Sequence, residues 1–197
     1  MKRTALFMLA LIASSTFASA QRGAPPPPAP LALEPGASQA DVDKAVLALA
    51  ENLRGQTMVI KWKRDFTYDT LRKGTNGLVC YDRSGLPEQQ PFSVECTAVA
   101  NLEREAQNLK AEALGDRTKT QEMLDEQEKN GTRVKPMFGS VWYHMAGPDR
   151  EHARPHMTIA VPGATAQSLG LPDKRTQGSL WIMNAGTTTA HLMVPGE

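Results

Sequence analysis

All four histidines of this 197-residue chain fall in its C-terminal third, at His144, His152, His156 and His191. Three have methionine close by, in His144-Met145, His156-Met157 and His191-Leu192-Met193. Imidazole suits zinc and copper and thioether suits Cu(I), so the combination raises a metal centre. Strand periodicity narrows it. Successive side chains of a strand turn to opposite faces, which sets His156 and His191 against Met157, Ile159, Val161, Leu192 and Val194. The second set is the greasier and is expected to be buried together as core, which takes Met157 out of any copper site. What survives is a polar sheet face on which His144, His156 and His191 would converge as zinc or copper ligands, able to acidify a bound water for hydrolysis. The plainer alternative is that the three are scattered, because no ligand spacing such as H-E-x-x-H or H-x-H enforces adjacency. His152 and His156 lie four apart, but Pro155 disfavours the helical turn that would align them.

A second candidate is the loop Gly147–Pro155, where Arg150, His152 and Arg154 lie close together and Lys174-Arg175 follow in the next charged loop. Guanidinium forks hold carboxylates or phosphates bidentately, so these residues form a candidate anion site. Basic residues that merely keep a loop solvated are the simpler reading. Asp149 and Glu151 beside His152 offer acid/base chemistry on the same terms. No G-x-S-x-G elbow, G-x-G-x-x-G or G-x-x-x-x-G-K-[ST] occurs, so neither a serine hydrolase nor a nucleotide cradle is indicated.

The elements that would position these residues are legible from patterning. Ser38 is a good N-cap for a helix whose Val42, Ala45, Val46, Leu49 and Leu53 share one face, and Gly55 stops it. Strands are expected at Met58–Trp62, Thr67–Leu71, Leu78–Tyr81 and Phe92–Cys96, with Asn76-Gly77 as a tight-turn signal between the second and third. The stretch from Ala98 to about Asn130 is helical, with a stripe of Val99, Leu102, Ala106, Leu109 and Ala113 broken near Gly115, which fits a helical hairpin. Further strands are expected at Gly139–Met145, His156–Val161, Ser179–Asn184 and Ala190–Val194. The fold class is therefore α+β: an antiparallel or mixed sheet with helices segregated to one side, preceded by a Pro-rich tether. Residues 38–197 form one domain, with a helix and strands over 38–96, a helical segment over 97–130 and a strand-rich part over 139–194.

The N-terminus supplies an address. Lys2 and Arg3 precede an apolar run, Ala5–Ala13, too short to span a bilayer, and Ala18-Ser19-Ala20 is a small-x-small cleavage site. Residues 1–20 read as a signal peptide, the mature chain as starting at Gln21, and the location as periplasmic or secreted. Residues 21–37, with Pro25–Pro28, Pro30 and Pro35, read as a semi-rigid spacer. In an oxidising compartment the only two cysteines, Cys80 and Cys96, are expected to form one disulfide.

With 22 Lys+Arg against 21 Asp+Glu, the chain carries no basic footprint for nucleic acid. After signal cleavage no later segment is long and apolar enough to span a bilayer. The leading functional reading is an exported globular protein that binds a protein partner or small ligand through its C-terminal strand-and-loop region, with no cofactor. The alternative is a zinc- or copper-dependent exported enzyme or metal carrier using His144, His156 and His191.

Overall fold

The computed structural model describes residues 28–175 and 179–194. The expected signal peptide and Pro25–Pro27 lie outside the described residues. From Leu31 onward the chain is already tied to the body, since the Leu31 N–H donates to the Gly55 carbonyl and the Glu34 N–H to that of Leu71.

Eight strands form one mixed sheet: β1 (Met58–Trp62), β2 (Tyr68–Arg72), β3 (Leu78–Asp82), β4 (Phe92–Ala98), β5 (Val141–Gly147), β6 (Arg154–Ala160), β7 (Trp181–Met183) and β8 (His191–Met193). Their spatial order is β2-β1-β3-β4-β5-β6-β8-β7, and only β1 and β3 pair in parallel. The helices are α1 (Gln39–Ala45), α2 (Glu51–Arg54), α3 (Leu102–Glu112), α4 (Arg117–Lys129) and α5 (Ala166–Leu169). No helix among the described residues is long and apolar enough to cross a membrane.

The α+β class and the mixed sheet are as the sequence indicates. The helices, however, cover both faces rather than gathering on one. Alternation along the central strands explains this. Cys80 and Cys96 turn toward α1, where Val42, Ala45, Val46, Leu49 and Val59 close the main core. Val79 and Tyr81 turn the other way and pack with Ile60 and Leu102 of α3. Cys80 and Cys96 are directly opposed across β3 and β4 and are bonded to each other.

Asn76-Gly77 is not a hairpin turn, because β1 lies between β2 and β3. The connection crosses the start of β1, and Gly74 permits the approach: a Cβ there would stand 2.1 Å from the Met58 nitrogen. Asn76 instead ties the crossing down, donating to the Leu53 carbonyl and the Thr57 hydroxyl. The break between α3 and α4 falls as expected at Gly115, which takes a φ of +64°.

The C-terminal core differs from expectation in coverage, not in parity. Ile159 pairs with Leu192 and Ala160 with His191, so the histidines do oppose the greasier side chains. Yet Met157, Ile159, Leu192 and Val194 are only half-buried. The packed cluster there is Val161, Ile182 and Ala190, with Leu192 against it. Helix α1 and the 3₁₀ turn that follows it rest on β3, β4 and β5, leaving the same face of β6 only partly covered.

Candidate functional site

The expected stripe on α3 is turned from the one the structure buries. Val99 is exposed, whereas Arg104 and Glu105 are buried beside Leu102, Leu109 and Ala111. A carboxylate and a guanidinium on the inner side of a helix require polar company, and the sheet provides it. Glu95, in the middle of β4, faces α3 from the opposite side of its strand to Cys96.

Glu95 is 2% exposed and Glu105 1%. Glu95 accepts from the Tyr81 hydroxyl at 2.7 Å and from Arg83 Nη1 at 2.8 Å, and its Oε2 lies 3.0 Å from His144 Nδ1. Arg83 also pairs with Glu112. Glu105 Oε1 accepts from Trp142 Nε1 at 2.9 Å and Asn108 Nδ2 at 2.8 Å, while its Oε2 has no hydrogen-bond partner. Across α3, Arg104 donates to the Val134 carbonyl and to the hydroxyls of Thr188 and Thr189. Arg133 donates to the side-chain oxygens of Gln107 and Asn108, and its Nε has no partner.

Most of these groups line one open cavity of about 260 Å³ between the sheet, α3 and α4, with Pro136 and Thr189–His191 also in its lining. Leu124, Trp142, Ala160 and Ala190 supply its apolar wall.

Burial separates the two glutamates. It opposes ionisation of both, but at Glu95 the attraction of Arg83 and then of His144 wins, holding that carboxyl well below the usual range. At Glu105 burial combines with the neighbouring Glu95 charge to push the carboxyl up to about 7, against the pull of Arg83. His144 is raised, because Glu95 outweighs the effect of burial. Tyr81 is raised well above its ordinary value by burial, then by Glu105 and Glu95. The site thus holds one firmly ionised carboxylate and one poised near neutrality.

That difference has a testable consequence. The Glu105 carboxyl sits higher in the folded protein than its ordinary 4.5, so its contribution to stability is intact below that value and is lost as pH rises through about 7. The difference is on the order of 3 kcal/mol. Relative to the parent, Glu105→Gln is expected to gain stability between pH 5 and pH 8.5, because the amide keeps an acceptor for Trp142 and never ionises. Equilibrium unfolding at the two pH values checks this; an equal difference at both would show that Glu105 does not titrate there.

His144, His156 and His191 share a face of the sheet. His144 pairs with His156 across β5 and β6, their rings 6.0 Å apart, and His191 pairs with Ala160 on the next strand. Their nitrogens are used separately: His144 Nδ1 lies against Glu95, and His191 Nδ1 is 2.7 Å from the Thr189 carbonyl. Burial lowers His156 and His191, and His144 adds to both shifts. Among the described residues no group of three or more His, Cys, Asp or Glu side chains is placed to hold a metal ion. Arg150, His152 and Arg154 are exposed, and the Asp149 carboxylate sits on His152 Nδ1 at 2.8 Å. Arg175 lies instead over the Trp181 ring, 6.0 Å from its centroid.

Sequence patterning passed over Arg83, Glu95, Arg104, Glu105 and Arg133. A signal was present for two of them. Glu105 stands three after Leu102 and four before Leu109, inside the buried stripe, and Glu95 interrupts an otherwise uncharged strand between Val94 and Cys96. Comparison of the chain with protein-family models, curated proteins and solved structures finds no match.

Proposed function

We propose that this chain is an exported small-ligand-binding protein whose site is the cavity beneath α3 and α4. The observation that carries the reading is the set of three buried polar atoms left without partners on residues lining that cavity, Arg83 Nε, Glu105 Oε2 and Arg133 Nε. Buried polar groups are ordinarily satisfied, and each left open costs about 1–3 kcal/mol. A bound molecule that supplied those hydrogen bonds would recover that loss. The C-terminal strands take part through Trp142, His144, Ala160 and His191. Export is supported by the basic, apolar and small-residue order of residues 1–20 and by the disulfide, which persists in oxidising compartments.

The test is a panel of small cationic, neutral, zwitterionic and anionic molecules added to ¹⁵N-labelled protein. At least one class is expected to shift the Trp142 indole N–H, which bonds to Glu105 inside the site. A spectrum in which no class moves that resonance would overturn the reading.

A further inference from the structure

We propose that the cavity takes a small organic carboxylate, its anionic end seated on Arg104 and Arg133 and its carbon body against Trp142. This inference rests on the small-ligand reading above and names the ligand's chemistry.

The arginines around the cavity divide into two kinds. Arg83 is compensated: Glu95 and Glu112 pair with it, and Glu105 Oε2 lies 3.9 Å away. Arg104 and Arg133 are 4% and 6% exposed, yet neither forms an ion pair with a carboxylate among the described residues. Their partners are neutral oxygens, from Val134, Thr188 and Thr189 for one and from Gln107 and Asn108 for the other. Neutral acceptors satisfy N–H groups without cancelling charge, and a buried charge is costly unless paired. The two cations also oppose each other: burial, and then Arg133, draw Arg104 down to about 10, and the more distant attraction of Glu105 and Glu128 offsets this only in part. An anion between them would relieve both costs at once. Arg133 is suited to this, since its Nε–H has no partner and can give a carboxylate oxygen one charge-assisted hydrogen bond.

The remaining walls point to a carbon body rather than a bare inorganic ion. Leu124, Pro136, Trp142, Ala160 and Ala190 offer hydrocarbon surface. The volume of about 260 Å³ sits just below the usual range for ligand pockets, which limits the occupant to a few carbons. Glu105, neutral below about pH 7, can donate a hydrogen bond to the incoming carboxylate through the oxygen that has no partner, keeping its proton.

Calorimetric titration with butyrate, butyramide, butylamine and inorganic phosphate distinguishes the alternatives. Butyrate is expected to bind, with the other three at least tenfold weaker, and Arg133→Gln to weaken butyrate by about tenfold or more, the loss of one charge-assisted hydrogen bond. Butyramide or butylamine binding as tightly as butyrate would overturn the carboxylate assignment and leave the small-ligand reading standing. Phosphate binding as tightly would overturn the organic body. Undiminished butyrate binding in Arg133→Gln would remove the assigned seat. Binding of none of the four would overturn the carboxylate assignment, and the Trp142 resonance then decides the broader reading separately. The four-ligand comparison uses unsubstituted protein, so it stands even where the variant fails to fold.

Discussion

Replacing Arg83 with methionine is expected to destabilise the fold by about 3–5 kcal/mol, the range for removing one partner of a buried ion pair. Arg83 is 6% exposed, and its guanidinium is the cation facing Glu95, Glu105 and Glu112. Without it, Glu95 keeps only the Tyr81 hydroxyl and His144 beside a buried charge. The methionine fills much of the volume, so the loss reports electrostatics rather than a void. The pH profile should change as well. In the parent, the depressed Glu95 carboxyl contributes stability that is present above its ordinary value of 4.5 and is lost as pH falls below it. In the variant that acid-side loss should shrink, and Glu105, no longer attracted by Arg83, should stay protonated to higher pH. Adding Glu95→Gln to Arg83→Met should recover part of the stability, because the pair then disappears together. Chemical denaturation across pH 4–9 checks both outcomes. A single variant within about 1 kcal/mol of the parent would mean that the cluster is solvated, against the burial described.

The second large effect belongs to the disulfide. Converting Cys80 and Cys96 together to alanine is expected to cost about 2–5 kcal/mol. The bridge joins positions 16 apart, and a loop of that length contributes about 3 kcal/mol by restricting the unfolded chain. Both residues are fully buried against Val42, Ala45, Val46, Leu49 and Val59, so the lost sulfur atoms also loosen the core. The same burial predicts that a thiol reductant leaves the bond intact in folded protein and cleaves it only with denaturant. A double variant with an unchanged unfolding midpoint, or rapid reduction without denaturant, would contradict this placement.

Much of the architecture was legible in the sequence because local periodicity is a local property. Ser38 caps α1 as read, its hydroxyl accepting from the Asp41 N–H, and the helical hairpin breaks at Gly115. The alternation along β6 and β8 placed His156 and His191 opposite Ile159 and Leu192. Two cysteines with no zinc-ligand companions were enough to name the disulfide. Neighbourhood was not legible. The strand order that puts β1 between β2 and β3 leaves Asn76-Gly77 as a crossing rather than a hairpin.

The candidate site lay almost wholly on the illegible side. Arg83 follows β3, Glu95 lies in β4, Arg104 and Glu105 in α3, Arg133 beyond α4 and Trp142 in β5. No short spacing connects them, so no motif could announce them. The sequence by itself determined most of the helix and strand segments and which side chains alternate, since φ/ψ preference and side-chain period act over a few residues. The single helix expected from Ser38 to Gly55 is nevertheless broken at Leu49, which takes an extended conformation between the 3₁₀ turn and α2. Only the tertiary structure decided that α3 closes over β4 and β5 with Glu105 facing Glu95 and Trp142, because burial of charge is stable only where distant segments bring compensating partners together.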